Sequence, residues 1–250
     1  MAGGLLFHRL KFAHVSALVC AAALMVALRC GGGIRKFALA SAMIAGISIA
    51  VFPYARAAIV ALICGVVAVY GCERRSLVRA AVATIVLVCL GGIVVGSVAP
   101  LRHRFVSALT EQGNGQREHL LRAAFRAIDQ HPWTGIGLGQ FRPSKFAGVD
   151  APKEIIDHPG KAHNQLVSIA AEVGVGGAIV FLVMLGSLLR RAWKTSYGSM
   201  TMGAVCIFAV LSTTHDPLFH APFSMALVLA IGLGLRDQRV GDSGPTSTPT

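Results

Sequence analysis

Hydrophobic residues are grouped in long runs that short basic connections separate, which is the pattern of helices that cross a membrane. A helix needs roughly 20 apolar residues to cross the hydrocarbon core of a bilayer. We predict six or seven such spans, at residues 15–28, 37–52, 57–71, 77–99, 165–189, 201–216 and 222–235. The chain is therefore predicted to be an all-α polytopic membrane protein, with one large polar loop that contains short helices.

Composition supports this class and excludes others. Of the 250 residues, 54% are hydrophobic and 14% are charged, a balance that is typical of membrane proteins rather than of soluble domains. The net charge of +12 is spread over loops beside the spans, so we expect contact with anionic membrane lipid and no nucleic-acid partner. No cysteine lies in the large loop, which predicts neither a disulfide framework nor a cysteine metal site there.

Lysine and arginine in short loops set the orientation, because such loops resist translocation. If seven spans alternate, four basic connections share one side, which we take as cytoplasmic; they lie at residues 29–36, 74–79, 190–194 and 236–239. The large loop then lies on the outer face. Arg9 and Lys11 conflict with this arrangement, since an odd number of spans places them outside.

The hydropathy pattern divides the chain into four parts. Residues 1–99 and 165–236 are predicted to form two groups of transmembrane helices, residues 100–164 the outer loop with the candidate chemistry, and residues 237–250 a disordered cytoplasmic tail. Within the loop, residues 117–128 have apolar positions at helical spacing. This spacing predicts an amphipathic helix that lies along the membrane surface.

Two motifs of the loop contain its main candidate functional residues. The first, HPWTGIGLGQF at residues 131–141, has glycines at alternate positions that fit neither the dinucleotide fingerprint nor a phosphate-binding loop. We interpret it as a tight turn, with the membrane interface as one location for Trp133 and Phe141. The second, His163-Asn164, opens the next span, which also carries Glu172; an arginine of the loop is our candidate partner for that carboxylate.

His163 is the strongest candidate for acid–base chemistry. It precedes a predicted helix that Asn164 can cap, and the positive end of a helix keeps an imidazole neutral and able to accept a proton near pH 7. The alternative is an interfacial histidine without a chemical role. Other histidines of the loop compete for the same role, namely His103, His119, His131 and His158. Their spacing matches no standard zinc site, and carboxylates are not clustered for magnesium, so we predict neither a metal nor a cofactor.

Arg56 and Arg117 are the candidate anion-binding residues. Arg56 lies at the outer start of a short span, where it is either a membrane anchor or a phosphate clamp, because a guanidinium can bind phosphate through two hydrogen bonds. Arg117 lies on the same side at the start of the amphipathic segment. A solvated position at a helix start is the alternative for Arg117.

The order of these motifs resembles the C-terminal half of the O-antigen ligase and polymerase-like family. The resemblance covers residues 37–235 and rests on Arg56, a Gly-x-Arg segment at Arg117, the motif at 131–141, His163-Asn164, and EVGVGG at 172–177 before a long span. The family implies a bacterial inner-membrane glycosyltransferase that acts on the periplasmic face without metal or nucleotide sugar. Its ligases move a glycan from an undecaprenyl (polyprenyl) pyrophosphate carrier to a sugar hydroxyl of the lipid A core.

The resemblance also implies roles for individual residues. His163 would be the catalytic base or the group that orients the acceptor, Arg56 and Arg117 would hold the donor pyrophosphate, and Asn164 would belong to the substrate-binding site. The acceptor stays open, because a polysaccharide polymerase or a protein O-oligosaccharyltransferase would share the same motifs.

Two hypotheses from other classes remain. A transporter module would use ionisable residues near the membrane as a proton pathway, and His215, Asp216 and His220 are its candidates. The chain is also shorter than the family's full set of spans. A truncated, non-catalytic subunit of an envelope polysaccharide system is therefore the second hypothesis.

Overall fold

The computed structural model describes residues 9–51, 56–74, 96–97, 99, 115–146 and 161–236. In these ranges all regular secondary structure is helical, so the prediction of an all-α fold is confirmed for this part of the chain. The helices are α1 Arg9–Arg29, α2 Gly32–Val51, α3 Arg56–Arg74, α4 Gly115–Gln130, α5 Pro143–Phe146, α6 Gln165–Val173, α7 Val175–Lys194, α8 Gly198–Ser212 and α9 Ala221–Gly234, with a 3₁₀ turn at Pro217–Phe219.

Apolar helices of membrane-spanning character dominate the structure. By length and composition, three of the described helices can cross a membrane: Lys11–Arg29, Gly32–Ile49 and Val175–Lys194. Three more are apolar but shorter: Ala57–Glu73, Gly198–Ser212 and Ala221–Gly234. The predicted tail at 237–250 and nearly all of the predicted span at 77–99 lie outside the described residues. The number of six or seven spans therefore stays a prediction.

Helices α3 and α8 pack closely because glycines lie along their contact. A side chain added at Gly65 would meet Ile207, and one added at Gly203 would meet Val69 and the backbone of Gly65. Small residues of this kind let helices approach within a membrane, where van der Waals packing drives association. Around this contact lies one apolar core that includes Ala58, Ala61, Val69, Phe208 and Phe223.

The helical bundle has two chemically different ends. At one end, which we call the basic end, Arg29 of α1 donates to Glu73 of α3 over 2.8 Å, and Ser199 of α8 donates to the same carboxylate. At the other, the histidine end, His14 of α1 lies against His215, which follows α8. Helices α1 and α3 therefore run from the histidine end to the basic end, and α8 runs in the opposite direction.

The predicted span at 165–189 is interrupted, which corrects the sequence-based assignment. The chain leaves the helix at Gly174, where φ is +90°, and this residue separates α6 from α7. The predicted span at 201–216 also ends earlier, at Ser212. Hydropathy alone could not show the break, because Val173 and Val175 on either side of Gly174 are apolar.

We expect Gly203→Ala to destabilise the protein, because the added methyl group would meet Val69 and the Gly65 backbone. Overpacking of this kind typically costs about 1–3 kcal/mol. Gly186→Ala in α7 is the matched control, since nothing lies within 4 Å of its added carbon. Thermal unfolding in detergent should give a lower midpoint for Gly203→Ala than for the control. Equal midpoints would show that α3 and α8 do not pack through these glycines.

Candidate active site

A cavity of about 320 Å³ opens at the histidine end. Three separate parts of the chain supply its lining: the start of α1, the segment just before α6, and the turn between α8 and α9. The lining residues are Lys11, Lys161, His163, His215, Asp216, Phe219 and His220. The cavity therefore brings together titratable residues that are far apart in sequence.

His163 has an unusual backbone conformation at this cavity. Its φ is 55°, and it is the one non-glycine residue with positive φ among those that the structure describes. Left-handed backbone is unfavourable for most side chains, although histidine tolerates it better than bulky or β-branched residues do. Such strain persists only where surrounding contacts hold it, and it is concentrated at functional sites.

Asp216 lies against the backbone of His163. Its buried carboxylate accepts a hydrogen bond from the hydroxyl of Ser168, and the nearby backbone N–H of His163 favours its charged form. Burial raises the pKa of Asp216, while the Ser168 hydrogen bond and the charge of Lys161 act in the opposite direction. The carboxyl group thus joins α6, the His163 segment and the turn after α8.

Further hydrogen bonds attach the turn after α8 to the start of α6. The Asn164 side-chain oxygen accepts from the Val167 N–H at 3.2 Å, which confirms the predicted helix cap, and its nitrogen donates to the carbonyl of Thr213 at 3.5 Å. The Gln165 side chain accepts from the Leu218 N–H at 3.0 Å. The segment before α6 and the turn before α9 therefore form one rigid wall of the cavity.

Histidine rings form a continuous group beside this wall. The ring centroids of His163 and His215 are 6.5 Å apart, and those of His215 and His14 are 5.1 Å apart. His14 is fully buried in α1 and also stacks on His220 at 6.0 Å. Residues that the transporter hypothesis singled out thus lie in the same cavity as His163.

The described residues contain no group of three or more histidine, cysteine or acidic side chains that could hold a metal ion. The absence of such a group does not test the reaction itself. Metal-independent chemistry therefore stays a prediction.

The motif at 131–141 docks onto the helix break at Gly174 through backbone hydrogen bonds. Ile136 N–H donates to the Ala171 carbonyl at 3.0 Å, and Gly137 N–H donates to the Glu172 carbonyl at 2.9 Å. From the other side of the break, Val175 N–H donates to the Pro132 carbonyl at 2.8 Å. We call this arrangement the loop clamp, formed by residues 131–141 and 171–175.

The glycines of the loop clamp are required by close backbone contacts. A side chain at Gly135 would meet the Glu172 carbonyl group, and one at Gly174 would meet the Trp133 carbonyl group. Gly135, Gly137 and Gly139 all have positive φ, as the predicted tight turns require.

Three sequence-based expectations about this region are corrected. Glu172 does not pair with an arginine among the described residues, because its buried carboxylate accepts the Gly139 N–H at 3.0 Å. Phe141 is 1% exposed and lies in the protein interior rather than at a membrane interface. Most of the apolar face of α4 is buried in the protein rather than left for the membrane surface. Its alanines at 123, 124 and 127 pack with Phe141, and Leu120 is also buried, while Phe125 remains exposed.

The structure places the predicted site residues in different positions. His163 lines the cavity and Asn164 follows it. Arg56 begins α3 at the histidine end, but its side chain lies outside the described residues. Arg117 lies in the first turn of α4, half-buried, and is not part of the cavity lining.

Sequence analysis missed three residues of the site, namely Lys11, Lys161 and His14. Two signals were available: the charge of Lys11 conflicts with the orientation that the other basic residues indicate, and His14 is a titratable residue in an otherwise apolar segment. Nothing in the local sequence distinguishes Lys161 from the other basic residues of the loop.

An apolar helical bundle with a titratable cavity at one end is the architecture of a polytopic membrane protein. A family model described as O-antigen ligase matches residues 40–182, more than half of the chain. The chain therefore belongs to the O-antigen ligase family, and the resemblance seen in the sequence is confirmed. The family consists of ligase- and polymerase-type membrane enzymes with glycan and lipid-linked substrates. Comparison with curated proteins gives no match.

We expect Gly174→Ala to disrupt the loop clamp, because alanine strongly disfavours φ of +90° with ψ of 167° and its methyl group would meet the Trp133 carbonyl. Backbone strain of this kind costs about 1–3 kcal/mol. Gly176→Ala is the control, since nothing lies within 4 Å of its added carbon. Hydrogen exchange at residues 131–141 should accelerate in the first variant only. Unchanged protection in Gly174→Ala would contradict the described docking.

Asp216→Asn should alter how stability depends on pH. A carboxyl group whose pKa is raised by folding stabilises the protein below its ordinary pKa of 3.8, and this contribution is lost as pH rises through the folded value. Wild type should therefore lose stability relative to Asp216→Asn as pH increases from about 4. Unfolding midpoints of both proteins between about pH 4 and pH 8 test this. Parallel curves would contradict a carboxyl group with a raised pKa at this position.

Proposed function

We propose that this protein is a bacterial inner-membrane glycosyltransferase that moves a glycan from a polyprenyl pyrophosphate carrier to a sugar hydroxyl, such as one of the lipid A core. The observation that carries the proposal is the placement of His163 at a cavity of a chain that belongs to the O-antigen ligase family. The residue has a strained backbone conformation, which supports a functional role over that of an incidental interfacial histidine.

His163 acts as the general base in this proposal. The acceptor hydroxyl attacks the anomeric carbon of the donor sugar, a new C–O bond forms, and the bond from that carbon to the pyrophosphate oxygen breaks. The hydroxyl proton passes to a ring nitrogen of His163, and the carrier leaves as polyprenyl pyrophosphate. A positioned general base typically contributes about 100- to 10,000-fold in rate.

Arg56 and Arg117 stabilise the leaving pyrophosphate in the proposed reaction. Charge develops on this group as the glycosidic bond breaks, and a guanidinium stays charged and offers several donors to phosphate oxygens. The backbone position of Arg56 at the histidine end supports its part in this role. Asn164 contributes by fixing the start of α6, so that His163 keeps its position beside the substrate.

The histidine end faces the periplasm in this proposal, and the basic end faces the cytoplasm. The support is the distribution of charge, since Arg29, Arg191 and Lys194 end their helices at the basic end, where the positive-inside rule places them in the cytoplasm. Carrier-linked glycans presented at the periplasmic surface would then reach the cavity from the side of the large loop.

His163→Asn is the sharpest test of the mechanism. Asparagine tolerates left-handed backbone, so the variant removes the base without the additional strain that alanine would bring. We expect transfer from a polyprenyl pyrophosphate-linked oligosaccharide to fall about 100- to 10,000-fold, measured as acceptor-dependent release of the carrier pyrophosphate.

His119→Asn is the matched control, because His119 lies on α4 and is not part of the cavity lining. Its transfer rate should stay near that of wild type. Near-normal turnover in His163→Asn would remove His163 from the mechanism. Donor binding without release by folded wild type would favour the hypothesis of a non-catalytic subunit.

A further inference from the structure

Two lysines lie at the histidine end of the bundle, whereas most of the helix-terminal basic residues lie at the basic end. Lys11, on the first turn of α1, lies where the positive-inside rule disfavours it, and Lys161 precedes α6. Both side chains line the same cavity as His163. A lysine at a position that the positive-inside rule disfavours is unexpected unless its charge has a function there.

Lys161 is held as a partly desolvated cation. Its Nζ atom lies 3.0 Å from the ring centroid of Phe219, which orients the ammonium group by a cation–π contact. Burial lowers the pKa of Lys161, while the nearby charges of Glu172 and Asp216 act against this change. A cation with part of its hydration shell removed binds an anion more strongly than one in open solvent does.

Among the described residues, no carboxylate forms an ion pair with either of these lysines. The ion pairs in the part of the chain that the structure describes join Arg29 to Glu73 and Arg122 to Glu118. The two acids whose charges act on Lys161 form no ion pair with it, and each accepts a hydrogen bond from another group: Glu172 from the Gly139 N–H and Asp216 from the Ser168 hydroxyl. The cavity therefore keeps two lysine charges that an external anion can bind.

We infer that Lys11 and Lys161 form a phosphate-binding subsite of the cavity. Helices α6 and α9 both begin at this cavity, and the positive ends of helices add to the attraction for an anion. The ligand is a phosphate group of a substrate, either the pyrophosphate of the donor carrier or a phosphate on the acceptor sugar. The subsite lies beside His163 and rests on the proposed glycosyl transfer for its biological use, but its binding chemistry can be measured without turnover.

The position of the subsite gives it a role distinct from that of the arginines. Lys11 and Lys161 line the cavity, whereas Arg117 does not. An ammonium group acts as a compact point charge and does not require a fixed planar geometry. The lysines are therefore suited to hold a phosphate before and after the reaction, while the paired hydrogen bonds of a guanidinium suit a defined transition-state geometry.

Binding of inorganic pyrophosphate to the full-length protein in detergent tests the subsite directly. The variants are Lys11→Met, Lys161→Met and their combination, because methionine keeps the unbranched side chain and removes the charge. Lys145→Met is the matched control, since Lys145 is exposed on α5 and does not line the cavity. Unfolding midpoints identify any variant that fails to fold, and Lys161→Arg then serves as the charge-retaining variant that should keep binding.

We expect each single charge removal to weaken pyrophosphate binding by about tenfold or more, as for a charge-assisted hydrogen bond, and the control to bind like wild type. Loss of affinity in folded variants supports the subsite even if no glycan transfer is found, so its outcome is separate from that of the proposed function. Pyrophosphate binding by the double variant at wild-type affinity would overturn the inference.

Steady-state kinetics then distinguish the two sources of phosphate. An increase in KM for the lipid-linked donor, with little change in kcat, assigns the subsite to the carrier pyrophosphate. The same increase for a phosphorylated acceptor assigns it to the acceptor. Unchanged KM values for both substrates in the double variant would contradict a substrate-binding role.

Discussion

The backbone groups that are freed where the helix breaks at Gly174 must find hydrogen-bond partners, because an apolar environment offers none and each unsatisfied group is costly. The loop clamp provides these partners. Pro132, Ile136 and Gly137 bond to residues on both sides of the break, so a loop far back in the sequence completes the helix pair. This requirement determines the conformation of the loop, the position of α6 and, through α6, the location of His163.

In the wall of the cavity, side chains provide the hydrogen-bond partners of buried polar groups. From α6, the Ser168 hydroxyl donates to Asp216 and the Gln165 side chain accepts from the Leu218 N–H, so both reach the turn after α8. The Asp216 carboxylate also lies against the His163 backbone. Burying a carboxyl group costs free energy unless it is hydrogen-bonded or loses its charge. The Ser168 hydrogen bond and the raised pKa of Asp216 both reduce that cost, while its Oδ2 atom has no hydrogen-bond partner among the described residues. The result is a histidine whose position depends on the whole wall rather than on its own helix.

Sequence reasoning predicted the helical class, the cap at Asn164 and the tight turns at residues 131–141, because each follows from local periodicity or from a short motif. It did not predict the break at Gly174, since hydropathy does not distinguish one long span from two helices joined by an apolar glycine. It assigned His163 and the group His215, Asp216 and His220 to competing hypotheses. In the structure these residues lie together because α7 runs away from the cavity and α8 runs back to it. No local sequence pattern predicts this packing.

The residues that line the cavity are far apart in the sequence, and this has a consequence for biosynthesis. Its lining comes from α1, from the segment before α6 and from the turn before α9, so residues separated by about two hundred positions must meet. The ribosome synthesises a chain at roughly 5–20 residues per second, and folding begins at the N-terminus while synthesis continues. The first group of helices is therefore inserted well before the last hairpin exists. The nascent protein holds one side of its cavity in the membrane for roughly 10–40 seconds, and the cavity is complete only when the final helix has joined the bundle.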